Sequence, residues 1–132
     1  MRTLRTDRER AAGIASATLT DGGATFLLAP DAFLTSADEP TFVVGRARGI
    51  RHSIVALVGF GADDVYGILQ TARARGAGGV GTWQHEGRVY VDAVDVFSDL
   101  DAALAAARSR DQLAVWDAQN GAVIPVTAVP AA

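Results

Sequence analysis

The chain lacks cysteine, lysine and any long apolar run. Without cysteine it has neither disulfide bonds nor zinc sites built on thiolates. None of its apolar runs approaches the roughly 20 residues that a membrane-spanning helix requires. The first twelve residues are charged and contain no apolar segment of the kind found in a signal peptide. From these absences we expect a cytoplasmic protein that makes no contact with a membrane.

The absence of lysine means that all twelve basic residues are arginine. With the abundance of alanine, glycine and valine, this pattern is typical of a GC-rich genome. The net charge of −3 disfavours nucleic acid as a partner, because nucleic-acid-binding proteins usually present an electropositive face. A length of 132 residues with 49% apolar side chains predicts one globular domain with its own core.

Recognisable catalytic and cofactor motifs are also missing. The chain has no G-x-S-x-G nucleophile motif, and the glycine-rich segment 76–81 lacks the Lys-Ser/Thr pair of a phosphate-binding loop. His52 and His85 do not have the spacing of metal ligands. We therefore expect no catalytic residues, no cofactor and no metal site.

The order of patterns along the chain predicts a flexible arm over residues 1–12, a single domain over 13–127 and a tail over 128–132. The apolar run 52–60 is nearly continuous, which predicts a central strand. Other strands are predicted over 16–20, 25–28 and 41–44, and the segment 29–40 is predicted to be a loop.

Two helices are predicted, over 62–75 and 98–109. In the first, Val65, Ile68 and Leu69 recur at helical spacing and form one apolar face. In the second, Leu104 lies in the middle of a buried stripe, and Ser98 begins an approximate capping box. Both segments end in arginines, which suit the negative end of a helix dipole.

Two hairpins complete the pattern. The first pairs 80–83 with 88–96, and the second pairs 113–116 with 122–126. Pro125 cannot donate to a ladder, so the last strand is expected at a sheet edge. The sequence thus predicts an α+β two-layer sandwich: a largely antiparallel sheet, two helices on one face and a centre compatible with a ferredoxin-like arrangement.

Alternation in the strand 88–96 separates a core face from an outer face. Val89 and Val91 belong to the core face, which leaves Arg88 and Tyr90 pointing outward. Arginine, tyrosine and tryptophan carry much of the energy of protein interfaces. We therefore take the partner-binding candidates to be Trp83, Arg88, Tyr90 and Trp116, while the alternative that both tryptophans belong to the core stays open.

Two other functions remain as alternatives. A small enzyme acting on a phosphorylated or polar substrate would use Arg88, Tyr90 and Asp92 on the outer sheet face. A nucleic-acid binder would use an anion-binding patch, for which the candidates are Arg46, Arg48 and Arg51.

The C-terminal half carries a recurring order of elements. A G-x-W strand at Gly81–Trp83 precedes the strand Val89–Val94, then an acidic-capped helix at Asp99–Arg108 and the QLAVWD hairpin at Gln112–Ile124. With Thr41–Gly45 (TFVVG) upstream, this pattern resembles small proteins of high-GC actinobacteria and of their phages and mobile elements. The resemblance implies a mobile-element setting more than an activity. Together with the missing catalytic motifs, the small size and the aromatic residues of the strands, it favours a non-enzymatic accessory protein of a phage or mobile element that binds a protein partner, with homodimerisation as the simplest form. It supplies no catalytic residue.

Overall fold

The computed structural model of the protein describes residues 5–127. It contains three α-helices and an eight-stranded antiparallel sheet, which confirms the α+β class. The helices are α1 (Asp7–Asp21), α2 (Ala62–Arg75) and α3 (Leu100–Ser109). The strands are β1 (Gly23–Leu27), β2 (Ala32–Phe33), β3 (Phe42–Val44), β4 (Ser53–Ala56), β5 (Gly79–His85), β6 (Arg88–Phe97), β7 (Ala114–Asp117) and β8 (Ala122–Pro125), and a short 3-10 turn lies at Ala47–Gly49.

Strand β6 organises the sheet, whose order is β2-β1-β5-β6-β3-β7-β8 with β4 paired to β6. One edge of β6 pairs with β5. Along its other edge β3 and β4 lie end to end, since Val44 pairs with Asp95 and Ser53 with Val91. The segment 45–52 between them leaves the ladder, so β3 and β4 together act as one interrupted strand.

Two interleaved β-α-β units form the centre of the fold. Helix α2 connects β4 to β5, with β6 between these strands, and α3 connects β6 to β7, with β3 between them. This is the ferredoxin-like arrangement expected from the sequence. Val89, Val91 and Ala93 of β6 pack in the core with α1 and α2, and Phe97, on the same face by alternation, packs in the core with α3. All three helices therefore cover one face of the sheet.

Helix α1 corrects the prediction of a flexible arm over 1–12 and of a strand over 16–20. Residues 1–4 lie outside the described part of the chain, but the helix begins at Asp7. Thr6 and Glu9 form a reciprocal capping box at its start. Its buried stripe consists mainly of small residues and one isoleucine, so the apolar periodicity was too weak to indicate a helix: Ala11, Ile14, Ala15 and Thr18.

The other two helices confirm their predicted ranges within two residues. The cap of α3 differs from the prediction, because Asp99 and not Ser98 is the N-cap, and its carboxylate accepts from the backbone N–H of Ala102 at 3.0 Å. The prediction of two helices was short by one, since α1 was not foreseen.

The prediction of a long central strand over 52–60 was wrong. Strand β4 covers only Ser53–Ala56, and among the described strands it pairs with β6 alone, so it lies at an edge. Val55 packs against the core, whereas Ile54 and Val58 are exposed. The second half of the apolar run forms the turn into α2, where Leu57 and Phe60 pack against the core without belonging to the sheet. Strand β8 with Pro125 lies at the sheet edge as expected, and the tail 128–132 lies outside the described residues.

Candidate protein-binding surface

The outer face of the sheet, opposite the helices, carries an exposed row of large side chains. Trp83 of β5 pairs with Tyr90 of β6, and Tyr90 pairs with Ile54 of β4. Directly opposite residues in an antiparallel ladder point to the same face. Trp83 is 56% exposed and Ile54 is 46% exposed, so the hydrophobic row reaches solvent. Trp83 therefore lies on the surface and does not belong to the core.

Polar groups adjoin this row at the tip of the β5–β6 hairpin. The turn is Glu86-Gly87, and both residues have the positive φ that a two-residue hairpin turn favours. The imidazole of His85 stacks on Trp83 with ring centroids 5.1 Å apart, and Tyr90 lies 6.2 Å from Trp83. Arg88 pairs across the hairpin with His85 and on its other side with Ala56. We call this set the hairpin patch: Ile54, Trp83, His85, Arg88 and Tyr90.

Arg88 is exposed, and in the described part of the chain no carboxylate forms an ion pair with it. The sequence therefore identified three members of the patch and missed Ile54 and His85. Alternation in residues 53–56 was the available signal for Ile54, but it was hidden by the apolar residues that follow.

Trp116 lies on the same face but at the other end of the sheet. It pairs with Val43 of β3 and Val123 of β8, and Val43 pairs in turn with Val96 of β6. Trp116 is 39% exposed. Val96 lies six positions beyond Tyr90 on β6, a distance of roughly 20 Å at the rise of a strand. The structure thus places both tryptophans on the outer face without bringing them together.

Asp92 lies between these two ends. Its carboxylate accepts from the backbone N–H of Arg46 at 2.9 Å, in the gap that the segment 45–52 leaves beside β6. Burial raises the pKa of Asp92, and the hydrogen bond from Arg46 partly opposes that rise. Gly45 is required here, because a Cβ atom at that position would collide with the carboxylate of Asp92 and with the side chain of Gln112.

Three carboxylates that follow Asp92 in the sequence have structural surroundings. Asp95 forms an ion pair with Arg110 at 2.9 Å and also accepts from the backbone N–H of Gly78. Arg110 additionally donates to the carbonyl of Gly45, which ties the end of α3 to the sheet. Asp99 caps α3, and Asp101 lies in its first turn. These carboxylates do not converge on one point with Asp92.

The three arginines of the anion-binding candidate line different surfaces. Arg46 and Arg48 both have positive φ, the first at the start of the 3-10 turn and the second inside it. The Arg46 guanidinium donates to the carbonyl of Arg110 at 3.4 Å, and Arg48 lines an open depression of ≈ 650 Å³ together with Arg110. Arg51 lines a separate groove of ≈ 510 Å³.

Residues 5–127 contain no group of three or more histidine, aspartate or glutamate side chains placed to hold a metal ion. Within that range, no helix has both the length and the apolar character needed to cross a membrane. No protein-family model, curated protein or solved structure matches the chain.

Proposed function

We propose that this chain is a non-enzymatic accessory protein that binds another protein through the hairpin patch. The observation that carries the proposal is the exposed row Trp83–Tyr90–Ile54 on the face of the sheet that the helices leave uncovered. Tryptophan and tyrosine offer large, rigid contact areas with a polar tip, so they dominate the energy of many interfaces. An exposed row of this kind is costly unless a partner covers it.

The charge of the patch indicates the chemistry of the partner. Arg88 has no carboxylate partner among the described side chains, and the imidazole of His85 lies beside Trp83. A partner surface complements the patch if it has an apolar centre and a carboxylate within reach of Arg88. Arginine binds carboxylates through two parallel hydrogen bonds, in a bidentate geometry. A second copy of this chain is the simplest occupant to test. The resemblance to actinobacterial phage and mobile-element proteins supports a cytoplasmic accessory role.

The enzymatic alternative at Arg88, Tyr90 and Asp92 has weaker support. These residues share the outer face, and the raised pKa of Asp92 is the observation in its favour. However, the Asp92 carboxylate is occupied by a backbone N–H. Neither of the depressions of ≈ 510 Å³ and ≈ 650 Å³ is lined by Tyr90 or Asp92.

The double substitution Arg88→Ala with Tyr90→Ala tests the proposed surface. Both side chains point outward, so we expect loss of self-association in sedimentation velocity, or loss of a partner captured by the wild-type chain. The free energy of unfolding should change by less than about 1 kcal/mol. Trp116→Ala is the matched control, because it removes an outward aromatic from the distant end of the same face. If the double variant assembles and captures as the wild type does, the hairpin patch is not the working surface.

A further inference from the structure

Strand β4 has one edge that pairs with no described strand. Its other edge pairs with β6, and the backbone N–H of Leu57 continues that ladder by donating to the carbonyl of Gly87 at 2.8 Å. Hydrogen-bonded and non-hydrogen-bonded pairs alternate in an antiparallel ladder. The N–H and C=O groups of Ile54 and Ala56 therefore point toward the open edge. Both residues are exposed, so their backbone groups are accessible to another chain.

The open edge results from the short length of β7. In the interleaved arrangement β7 should run alongside the whole interrupted strand formed by β3 and β4. It covers only Ala114–Asp117, and it pairs with Phe42 and Val43 of β3. The β4 half is consequently left without a neighbour. An unpaired edge of this kind can template an added strand from another chain.

A groove of ≈ 510 Å³ lies between β4 and α2 on the helix side of the sheet. Ser53 and Val55 of β4 form one wall, with Ile50 and Arg51 before them. The other wall is a stripe of α2 at helical spacing, lined by Asp63, Asp64, Gly67, Ile68, Thr71 and Arg75. A groove between an edge strand and a helix is the geometry that accepts an extended peptide by strand addition.

Gly67 keeps the middle of this groove open. It is exposed in the interior of α2, and a Cβ atom there would meet no atom within 4 Å. A side chain at position 67 would therefore project into the groove, which glycine leaves open.

The two ends of the groove carry opposite charges. Because α2 follows β4 and folds back over the sheet, Asp63 and Asp64 lie beside the end of β4, and Arg75 lies toward its start with Arg51. Asp64 accepts from the backbone N–H of Gly61, and Asp63 pairs with the exposed Arg8 at 3.1 Å. The Asp63 side chain is still 92% exposed, so it can accept a further donor.

We propose that this groove binds an extended segment of a partner protein, added as an antiparallel strand to β4. Antiparallel pairing places the start of the segment beside Asp63 and its end beside Arg51 and Arg75. The segment therefore carries a basic side chain near its start and an acidic side chain near its end. The site shares Ile54 with the hairpin patch, but it uses the backbone of Ile54 at the strand edge and not the outward side chain, so the proposal does not depend on the patch.

The test is a selection of random displayed peptides of about seven residues, a typical strand length, on the full chain. We expect enrichment of β-branched sequences with a basic residue before an acidic one. A synthesised winner should bind Gly67→Gln about tenfold or more weakly than the wild type. Gly13→Gln is the matched control, because Gly13 is also exposed inside a helix with no atom within 4 Å of its Cβ position, and it should bind as the wild type does.

A second variant removes a backbone hydrogen-bond donor at the open edge of β4 and does not fill the groove. Proline at position 54 lacks the N–H that faces the open edge, while the ladder to β6 keeps its bonds. Ile54→Pro should therefore lose peptide binding and retain the far-ultraviolet circular dichroism of the wild type. If Ile54→Pro is unfolded, the Gly67 and Gly13 pair still decides the question.

Absence of enrichment, or equal binding by Gly67→Gln and the wild type, would overturn the proposal. Enriched peptides with the charges in the opposite order would overturn the assigned strand direction. The variant with Arg88→Ala and Tyr90→Ala should keep peptide binding, so failure of the hairpin patch and failure of the groove are distinguishable.

Discussion

At the scale of single residues, the glycines of this chain fall into two groups. Gly13 and Gly67 are exposed in helix interiors and have open space where a side chain would be. Gly79, in contrast, lies in β5 against β1, where a Cβ atom would collide with the backbone carbonyl of Phe26. Glycine at position 79 is thus required by close approach of two strands, and glycine at position 13 is not.

Substitution by alanine should therefore have opposite effects at these two positions. Gly13→Ala should raise the free energy of unfolding by about 0.5–1 kcal/mol, because alanine loses less backbone entropy in a helix. Gly79→Ala should lower it, because the Phe26 carbonyl is backbone and cannot rotate away. Urea denaturation of the two variants and the wild type measures both effects. A stable Gly79→Ala protein would mean that β1 and β5 are not packed as described.

Thr18 and Thr82 form a buried polar contact between α1 and β5. The Thr18 hydroxyl donates to the carbonyl of Ile14 at 2.7 Å. It also lies within hydrogen-bond distance of the Thr82 hydroxyl. The Thr82 hydroxyl oxygen accepts from the backbone N–H of Ala24 at 3.1 Å. Each buried hydroxyl is therefore satisfied. This contact fixes the position of α1 over the sheet.

Thr82→Val should cost about 1–3 kcal/mol, since it removes the hydroxyl that contacts the buried Thr18 hydroxyl and accepts from the N–H of Ala24. The double variant with Thr18→Val should cost less than the sum of the two single variants, because their mutual hydrogen bond is counted twice in that sum. A double-mutant cycle by chemical denaturation measures the difference. Strict additivity would show that the two hydroxyls do not interact.

At the scale of elements, α1 is docked by ion pairs at its first turn as well as by its buried stripe. Asp7 accepts from Arg10 at 3.0 Å and from Arg73 of α2 at 2.8 Å. Arg10 also pairs with Asp31 at 2.7 Å, and Arg8 lies 4.1 Å from the ring centre of Tyr66 in α2. These contacts join the start of α1 to α2 and to the loop before β2.

Docking of α1 should weaken in acid. The hydrogen bond from Arg73, followed by the contribution of Arg10, holds the pKa of Asp7 below its ordinary value of 3.8. A carboxylate whose pKa is lowered by folding stabilises the fold above its unfolded pKa, and this contribution is lost as pH falls through the folded pKa. Asp7→Asn should therefore be less stable than the wild type at pH 7, and the difference should shrink below about pH 4. Thermal unfolding of both proteins over this pH range measures the difference in stability. A difference that stays constant with pH would disprove the stabilising role of the Asp7 carboxylate.

At the scale of the whole molecule, β6 joins two hydrophobic clusters. One lies between α1, α2 and the strands β1, β5 and β6, and the other lies between α3 and the strands β3 and β7. Asp95 and Arg110 connect the end of α3 to the sheet at the boundary between the clusters. The second cluster is smaller, so each of its large side chains carries a greater share of its stability.

Leu104 is the test residue for the second cluster. It is 2% exposed, which agrees with its predicted place in the buried stripe of α3. Leu104→Ala should cost about 2–5 kcal/mol, from lost burial and the cavity that remains. Leu113→Ala is the matched control, because Leu113 is 90% exposed and should change stability by less than about 0.5 kcal/mol. Equal melting temperatures for the two variants would contradict the assigned helix phase.

Part of the candidate surface could be predicted from the sequence, and part could not. Alternation in β6 placed Arg88 and Tyr90 on the outer face, because a strand of ten residues keeps a strict period of two. Ile54 was missed because its place beside Tyr90 depends on cross-strand register. His85 was missed because the predicted strand ended at residue 83, whereas β5 extends to His85 and alternation places that residue beside Trp83. Register between strands that are distant in sequence is set by the packing of the whole sheet.

The sequence by itself determined α2, α3 and the β5–β6 hairpin, because helical periodicity and turn chemistry are local properties. Only the tertiary structure decided that Asp7–Asp21 is helical, since its small buried residues become a core face only when α2 and β1 pack against them. The tertiary structure also decided that β4 lies at an open edge. That outcome depends on how far β7 extends along β3, which is a relation between strands about seventy residues apart and leaves no trace in the local pattern of either.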